Sequence, residues 1–164
     1  MSPLRFAAAF LVILFFWVLL NGSWAADVLL VGALVVLVIG LFFGRGLAVL
    51  TEFRFTPRGL AAALAYLLYF IKELVKSNIR LAAIVLSPQL PISPGIVKVK
   101  TKLKSRMGRL LLANSITLTP GTLTVALEGE WLYVHWVTTE SPEIDAATAR
   151  IVAGFERYLE VMYG

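Results

Sequence analysis

The chain contains no cysteine and only one histidine among its 164 residues. The absence of cysteine excludes disulfides, thiolate zinc sites, iron–sulfur ligation and cysteine nucleophiles. The single histidine, His135, cannot build a multi-histidine metal site within one chain. Charged residues are also scarce, at 15% of the chain against about 25% in an ordinary soluble domain. With 59% hydrophobic residues and a mean hydropathy of +0.85, the composition is that of a membrane protein.

Two long uncharged runs lie near the N-terminus. The first covers residues 6–26 and the second covers residues 28–44. Both are rich in Leu, Val, Ile and Phe, and neither has a polar stripe at helical spacing. Each is close to the roughly 17 to 25 residues that a spanning helix needs. We therefore predict a transmembrane helical hairpin with spans over about residues 4–22 and 26–44.

The segment between the two runs indicates a tight turn. Residues 21–27 combine Asn, Gly and Ser with Trp24, a residue favoured at membrane interfaces. They contain no Lys or Arg, whereas basic residues are frequent after the second run, from Arg45 onwards. The positive-inside tendency then predicts a multi-pass protein of the cytoplasmic membrane with both termini in the cytoplasm. A cleaved signal peptide ending near residue 25 is a rival interpretation, against which the second run argues.

The next apolar segment is too short to span comfortably. Residues 59–71 are uncharged, and Lys72, Lys76 and Arg80 then form a basic stripe at i, i+4, i+8 spacing. A helix over about residues 58–86 can therefore lie in the headgroup region with its apolar side in the membrane. A third span would export the basic C-terminal part, so the charge rule favours the partly embedded helix.

A proline-rich linker over residues 88–95 separates a membrane domain, residues 1–87, from a second domain, residues 96–164. Three prolines in the linker exclude a continuous helix. Beyond it, hydrophobic periodicity predicts strands and helices in the order β-α-β-β-α, over residues 96–104, 107–116, 122–127, 131–137 and 144–162. The predicted fold class is a membrane protein with a helical hairpin, a partly embedded amphipathic helix and a small cytoplasmic α+β domain.

No group of residues in the sequence indicates catalysis. His135 lies in a predicted strand without an adjacent acid, and the hydroxyl residues at 114–124 have no histidine–acid pair or nucleophile elbow beside them. The alternating lysines of the first strand are expected to face solvent or lipid rather than nucleic acid. Lys72 and Glu73 could mark an ion path near the bilayer, although interfacial anchoring is the simpler interpretation. We expect a protein that is not an enzyme and that holds no metal or cofactor.

Four segments have distinctive sequences: KELVKSN at 72–78, PGIVKV at 94–99, LLANSITLTPGTLT at 111–124 and LYVHW at 132–136. Together with the hairpin they resemble the E subunit of the Mrp-type multisubunit monovalent cation (Na+)/proton antiporter. The resemblance covers nearly the whole chain. It implies an accessory, non-catalytic subunit that supports assembly and activity in Na+ extrusion and pH homeostasis. The location implied is the bacterial or archaeal cytoplasmic membrane.

The resemblance implies the other antiporter subunits (A, B, C, D, F and G) and membrane lipids as partners, and no nucleic acid. It also selects residues for subunit contacts or structural roles. Gly40 and Gly44 are added to them as a GxxxG pair, because small residues at this spacing let helices approach closely in lipid. The full set is Gly40, Gly44, Lys72, Glu73, Lys76, Asn78, Asn114, Ser115, Thr117, Thr119, Pro120, Gly121, Thr122 and His135. Two alternatives stay open: the equivalent subunit of a membrane-bound hydrogenase-type complex, and a membrane-anchored module that binds lipid or nucleic acid.

Overall fold

The computed structural model describes residues 3–47 and 52–164, apart from the side chains of residues 3–6, 8–9 and 43–47. The chain divides into two compact units, Met1–Phe53 and Arg54–Gly164. They are named here the N-terminal unit and the C-terminal unit.

The N-terminal unit contains two helices in contact, α1 (Pro3–Asn21) and α2 (Ala26–Leu47). Gly22 ends α1, because its φ of 62° is a left-handed conformation that favours glycine, and its N–H donates back to the last turn of the helix. The indole Nε1 of Trp17 donates a 3.0 Å hydrogen bond to the carbonyl of Val28 and so joins the two helices. Among the helices within the described residues, none combines the length and the apolar composition needed to cross a bilayer.

A glycine allows the close approach of the two helices. A Cβ atom at Gly32 would lie 2.5 Å from Cδ1 of Trp17, so a larger residue there would require the indole ring to shift. The sequence pattern selected Gly40 and Gly44 for this role. Gly40 is buried in the N-terminal unit, whereas the surroundings of Gly44 lie outside the described residues. A contact through that pair therefore stays a prediction.

The C-terminal unit combines helices with a small antiparallel sheet of strand order β1-β3-β2. Its elements in chain order are α3 (Pro57–Leu86), β1 (Gly95–Lys100), α4 (Arg106–Leu118), β2 (Thr122–Glu128), β3 (Trp131–Trp136), α5 (Ile144–Ile151) and α6 (Ala153–Tyr163). Strand alternation separates the two faces of the sheet. The inner face buries Val97, Val99, Leu132, Val134 and Trp136 in a core with Leu112, Ile116, Ala147, Phe155 and Leu159. The outer face carries the central strand residues Trp131, Tyr133 and His135.

Helix α3 packs in the same compact unit as the sheet, whereas the sequence pattern grouped it with the membrane hairpin. The reason is aromatic packing against α6. The ring of Phe155 makes edge contacts with Tyr66 and Tyr69, with centroids 6.4 and 5.2 Å apart. The proline-rich segment, predicted as an interdomain linker, consequently lies inside the C-terminal unit.

Two further predicted elements differ in extent from the structure. The first strand ends at Lys100, because Thr101 and Lys102 turn to donate hydrogen bonds to the carboxylate of Glu156. The single C-terminal helix predicted over residues 144–162 is divided at Val152 into α5 and α6. The break lets α5 pack on β1 while α6 packs on α3 and α4.

Gly154 on α6 leaves room for a helix contact, and we predict that Gly154→Ala destabilises the unit. Alanine normally favours a helix over glycine. Here a Cβ atom would overlap the Tyr69 hydroxyl and lie 2.7 Å from its Cζ atom. The Tyr69 ring is held between Phe155 and Tyr158, with centroids 5.2 and 5.5 Å away, and cannot move aside freely. Overpacking of this kind costs about 1–3 kcal/mol.

Thermal unfolding of the detergent-solubilised chain measures this effect. The matched control is the same substitution in a Tyr69→Ala background, where the added methyl group meets no ring. There Gly154→Ala should be neutral or stabilising, as a double-mutant cycle would show. Equal effects of the substitution in both backgrounds would contradict the overlap with Tyr69.

Candidate functional site

A groove of about 110 Å³ lies in the C-terminal unit between α3 and the turn that follows α4. It is named here the α3–turn groove. Helix α3 supplies one wall, the turn over residues 119–122 supplies the second, and the end of β3 with residues 136–138 supplies the third. The groove thus brings together the KELVKS and TLTPGT segments, which lie about 45 residues apart in the sequence.

The turn over residues 119–122 is shaped by its own polar groups. The backbone N–H of Thr119 donates to the carbonyl of Ser115, and Pro120 then prevents the helix from continuing. Gly121 has a φ of 96°, which favours glycine, and its carbonyl accepts a hydrogen bond from the N–H of Val137. The hydroxyl of Thr122 donates to the carbonyl of Ile116 at 2.6 Å. These bonds satisfy the carbonyls of Ser115 and Ile116 in the last turn of α4 and attach the turn to the end of β3.

Ser115 connects α4 to α3 below the groove. Its hydroxyl is buried and donates to the carbonyl of Leu111 at 2.7 Å. A hydroxyl carries one proton, so the hydrogen bond between Ser115 Oγ and Tyr66 is donated by the tyrosine. This bond holds α3 against the helix that leads into the turn.

Glu140 joins two elements of the groove through ion pairs. Its Oε1 lies 2.9 Å from Nη1 of Arg80 on α3, and its Oε2 lies 3.0 Å from Nε of Arg150 on α5. The hydrogen bond from Arg150 holds the pKa of the Glu140 carboxyl below its ordinary value, with a smaller contribution from the charges of Arg150 and Arg80. The same hydrogen bond raises the pKa of Arg150. A second, looser pair places Lys76 Nζ 3.9 Å from Glu73.

We predict that Glu140→Gln lowers the unfolding temperature at neutral pH and has a smaller effect in acid. The folded-state pKa of Glu140 lies below the ordinary value of 4.5. Its stabilisation is therefore complete above pH 4.5 and is lost as the pH falls through the folded-state pKa. The carboxylate is partly exposed, so the effect stays within about 1 kcal/mol. Thermal unfolding of parent and variant between neutral and acid pH measures the difference in unfolding temperature. A difference that grows toward acid pH would contradict the predicted pH dependence.

The structure gathers six of the residues selected from the sequence around the groove: Glu73, Lys76, Thr119, Pro120, Gly121 and Thr122. Ser115 lies beneath them. The others lie elsewhere: Lys72 and Asn78 are exposed on α3, Asn114 and Thr117 are exposed on α4, and His135 is on the outer sheet face. Their roles as contact residues stay predictions.

Sequence reasoning missed several residues that shape this site. The sequence pattern placed Arg80 in the basic stripe, four residues after Lys76, but did not select it as a site residue. Glu140 and Arg150 carried no such signal, because Glu140 pairs with Arg80 from 60 residues away and Arg150 joins the group only through Glu140. Within the described residues, no group of three or more carboxylate or imidazole side chains could hold a metal ion.

The chain was found to be similar to transporter and respiratory subunits. Residues 10–162 match the family model MNHE, described as a Na+/H+ ion antiporter subunit. The E subunit of the Na+/H+ antiporter of Alkalihalophilus pseudofirmus is 38% identical over 135 residues, which cover 81% of this chain and 83% of the relative.

Solved structures also match, among them chains of two membrane complexes. One is a chain of the membrane-bound sulfane sulfur reductase, an archaeal respiratory membrane complex. It is 35% identical with a TM-score of 0.76, and the match covers 96% of this chain and 98% of that chain. The other is a chain of the Mrp complex from Dietzia sp., 30% identical with a TM-score of 0.43, covering 60% of this chain and 93% of that chain.

Proposed function

The chain belongs to the Na+/H+ ion antiporter subunit family, and on this basis we propose how its two units serve a membrane complex. It is an accessory subunit of a multisubunit Na+/H+ antiporter, it is located in the membrane, and its partners are the other antiporter subunits. The observation that carries this function is the match over residues 10–162, together with an antiporter relative of which 83% is covered.

In the proposed arrangement, α1 and α2 form a transmembrane hairpin with the turn between them outside the cell. The uncharged runs in the sequence support this, as do the apolar side chains that the hairpin exposes. Leu20, Leu41 and Phe42 are 84%, 73% and 80% exposed, which suits a lipid or protein environment better than water. The basic residues that follow α2 support a cytoplasmic location for both termini.

We predict that cysteine labelling will report this orientation. Because the chain has no cysteine, a single introduced thiol is a unique label. Ala25→Cys in the exposed turn should react with a membrane-impermeant maleimide in intact cells. Ala153→Cys, exposed on α6, is the matched control and should react only after the cells are permeabilised. The reverse pattern, or equal labelling of both thiols in intact cells, would contradict the orientation.

Helix α3 is proposed to lie partly embedded at the membrane surface. Its side toward α6 carries Tyr66, Tyr69 and Glu73, whereas the opposite side exposes a long apolar stripe. The stripe, named here the α3 apolar stripe, consists of Leu60, Leu64, Leu67, Leu68, Ile71, Val75 and Ile79. Residues at this spacing share one face of a helix. The α3 apolar stripe points away from its own unit. An apolar face of this extent needs lipid or another subunit to cover it.

The function is tested by purifying the tagged chain from native membranes in a mild detergent and identifying the co-purifying proteins by mass spectrometry. Large antiporter subunits in amounts equal to the tagged chain are expected. Recovery of the chain alone would contradict the accessory role.

A second candidate follows from the solved structure with a TM-score of 0.76, which belongs to a respiratory membrane complex. In that case, the chain is the corresponding accessory subunit of a respiratory membrane complex that also contains redox subunits. The same purification distinguishes the two candidates. Redox subunits would co-purify with the chain in the second case and would be missing in the first.

A further inference from the structure

The floor of the α3–turn groove is apolar. Ile84, Ile116, Trp136, Ile151 and Phe155 contribute to its lining. Its volume of about 110 Å³ is smaller than the roughly 150 Å³ of an apolar cavity that holds benzene. The groove therefore has room for about one apolar side chain.

Three hydroxyl groups that line the groove have already donated their protons. Ser77 donates to the Leu74 carbonyl at 3.0 Å, Thr119 donates to the Ser115 carbonyl and Thr122 donates to the Ile116 carbonyl. Each hydroxyl has one proton, so its remaining capacity is to accept a hydrogen bond. These acceptors fit the N–H groups of a peptide.

The rim of the groove has an excess of positive charge. Lys76, Arg80 and Arg150 line the groove, and the acids facing them are Glu73, also in the lining, and Glu140. Both arginines already share Glu140 at 2.9 and 3.0 Å. Lys76 meets Glu73 only at 3.9 Å, and its side chain is 52% exposed. The ammonium group of Lys76 is thus the rim cation that is best placed to receive a carboxylate from a partner.

We propose that the α3–turn groove docks a peptide segment of another subunit of the complex, one that inserts a single apolar side chain and places an adjacent carboxylate on Lys76. The size of the groove fits the side chain, the hydroxyl acceptors fit the backbone of the segment, and Lys76 fits the acid. This docking rests on the proposed function, because it requires the chain to belong to a complex. It gives the KELVKS and TLTPGT segments a shared role as two walls of one binding site.

Filling the groove tests the proposal. Ser77→Phe places a ring in the groove, and the full chain is then co-expressed with the complex and purified through its tag. Recovery of the other subunits per tagged chain, measured by quantitative mass spectrometry, should fall about tenfold or more, as expected when one apolar side chain loses its burial. Ser77→Ala, which leaves the groove open, should retain parental recovery.

Ala83→Phe is the matched control. Ala83 lies six residues after Ser77 on α3, is exposed, and is not among the residues that line the groove. It should keep parental recovery, and the unfolding temperatures of both Phe variants should match the parent. Parental recovery with Ser77→Phe, or equal losses with both Phe variants, would overturn the proposal. If the parent chain itself recovered no other subunits, the proposed function would fail instead.

Zero-length carbodiimide coupling identifies the docked segment. The reagent joins the Lys76 amine to a carboxylate in contact with it, and peptide sequencing by mass spectrometry then locates the acid. The expected product links Lys76 to an acidic residue of another subunit with an apolar residue beside it. Lys76→Arg keeps the charge and should abolish this product. Coupling of Lys76 only to Glu73 or to other acids of its own chain, or to lipid, would overturn the proposal.

Discussion

Replacing Glu156 with leucine should lower the free energy of unfolding of the C-terminal unit by about 3 kcal/mol. Glu156 is buried, at 7% exposure, although it is a charged residue. Its Oε1 atom accepts hydrogen bonds from the Thr101 hydroxyl and from the backbone N–H of Lys102, the latter at 2.8 Å. Leucine has a similar size but no acceptor, so the buried Thr101 hydroxyl and the partly buried Lys102 N–H lose their partner. The cost of leaving these donors unpaired makes the substitution destabilising.

Denaturant unfolding of the detergent-solubilised chain, followed by tryptophan fluorescence, to which the buried Trp136 contributes, measures the shift in midpoint. Glu160→Leu is the matched control, because Glu160 lies one turn later on α6 and is exposed. It should change the midpoint little. Glu156→Gln keeps an acceptor oxygen and should fall between the parent and the leucine variant. A midpoint for Glu156→Leu equal to that of the parent would show that the two hydrogen bonds contribute nothing net.

Placing a carboxylate on the α3 apolar stripe should remove the chain from its complex without unfolding it. Leu68 is 61% exposed within its own unit, so Leu68→Asp leaves the core intact and the unfolding temperature unchanged. In the membrane the same side chain would face lipid or a neighbouring subunit. A charged residue in the apolar part of a bilayer costs up to about 3 kcal/mol, and an unpaired charge in a protein interface is similarly unfavourable.

The measurement is the fraction of tagged chain that co-purifies with the other subunits from native membranes. For Leu68→Asp, a fall of tenfold or more is expected, because about 1.4 kcal/mol corresponds to a factor of ten. Ala83→Asp puts the same carboxylate on the same helix at an exposed position outside the stripe, and it should assemble normally. Normal assembly of Leu68→Asp would show that the stripe faces water in the complex.

Local features of the sequence determined much of the C-terminal unit. The patterns over residues 96–104 and 131–137 predicted two strands, of which the first ends earlier, at Lys100. The hydroxyl-rich segment with Pro120 and Gly121 predicted the turn after α4. These signals are local: strand alternation reflects one buried face, and proline and glycine restrict or extend the backbone at their own positions. The family membership likewise followed from short segments of sequence.

The partner of α3 could not be predicted from the same signals. Its apolar stripe and basic stripe are typical of a helix that lies on a membrane, and the sequence pattern therefore grouped it with the hairpin. The structure packs its aromatic side on α6, where Gly154 provides the space for Tyr69. Such a contact depends on how two distant helices fit together, which hydrophobic periodicity does not encode.

The sequence by itself determined the two uncharged runs, the strands, the turn and the family. The tertiary structure decided the division of the last helix at Val152, the burial of Glu156 and the assembly of the α3–turn groove. The physical reason is the range of the interactions. Backbone propensities act over a few residues, whereas the ion pairs of Glu140 with Arg80 and Arg150 form only after α3 and α5 have packed around the sheet.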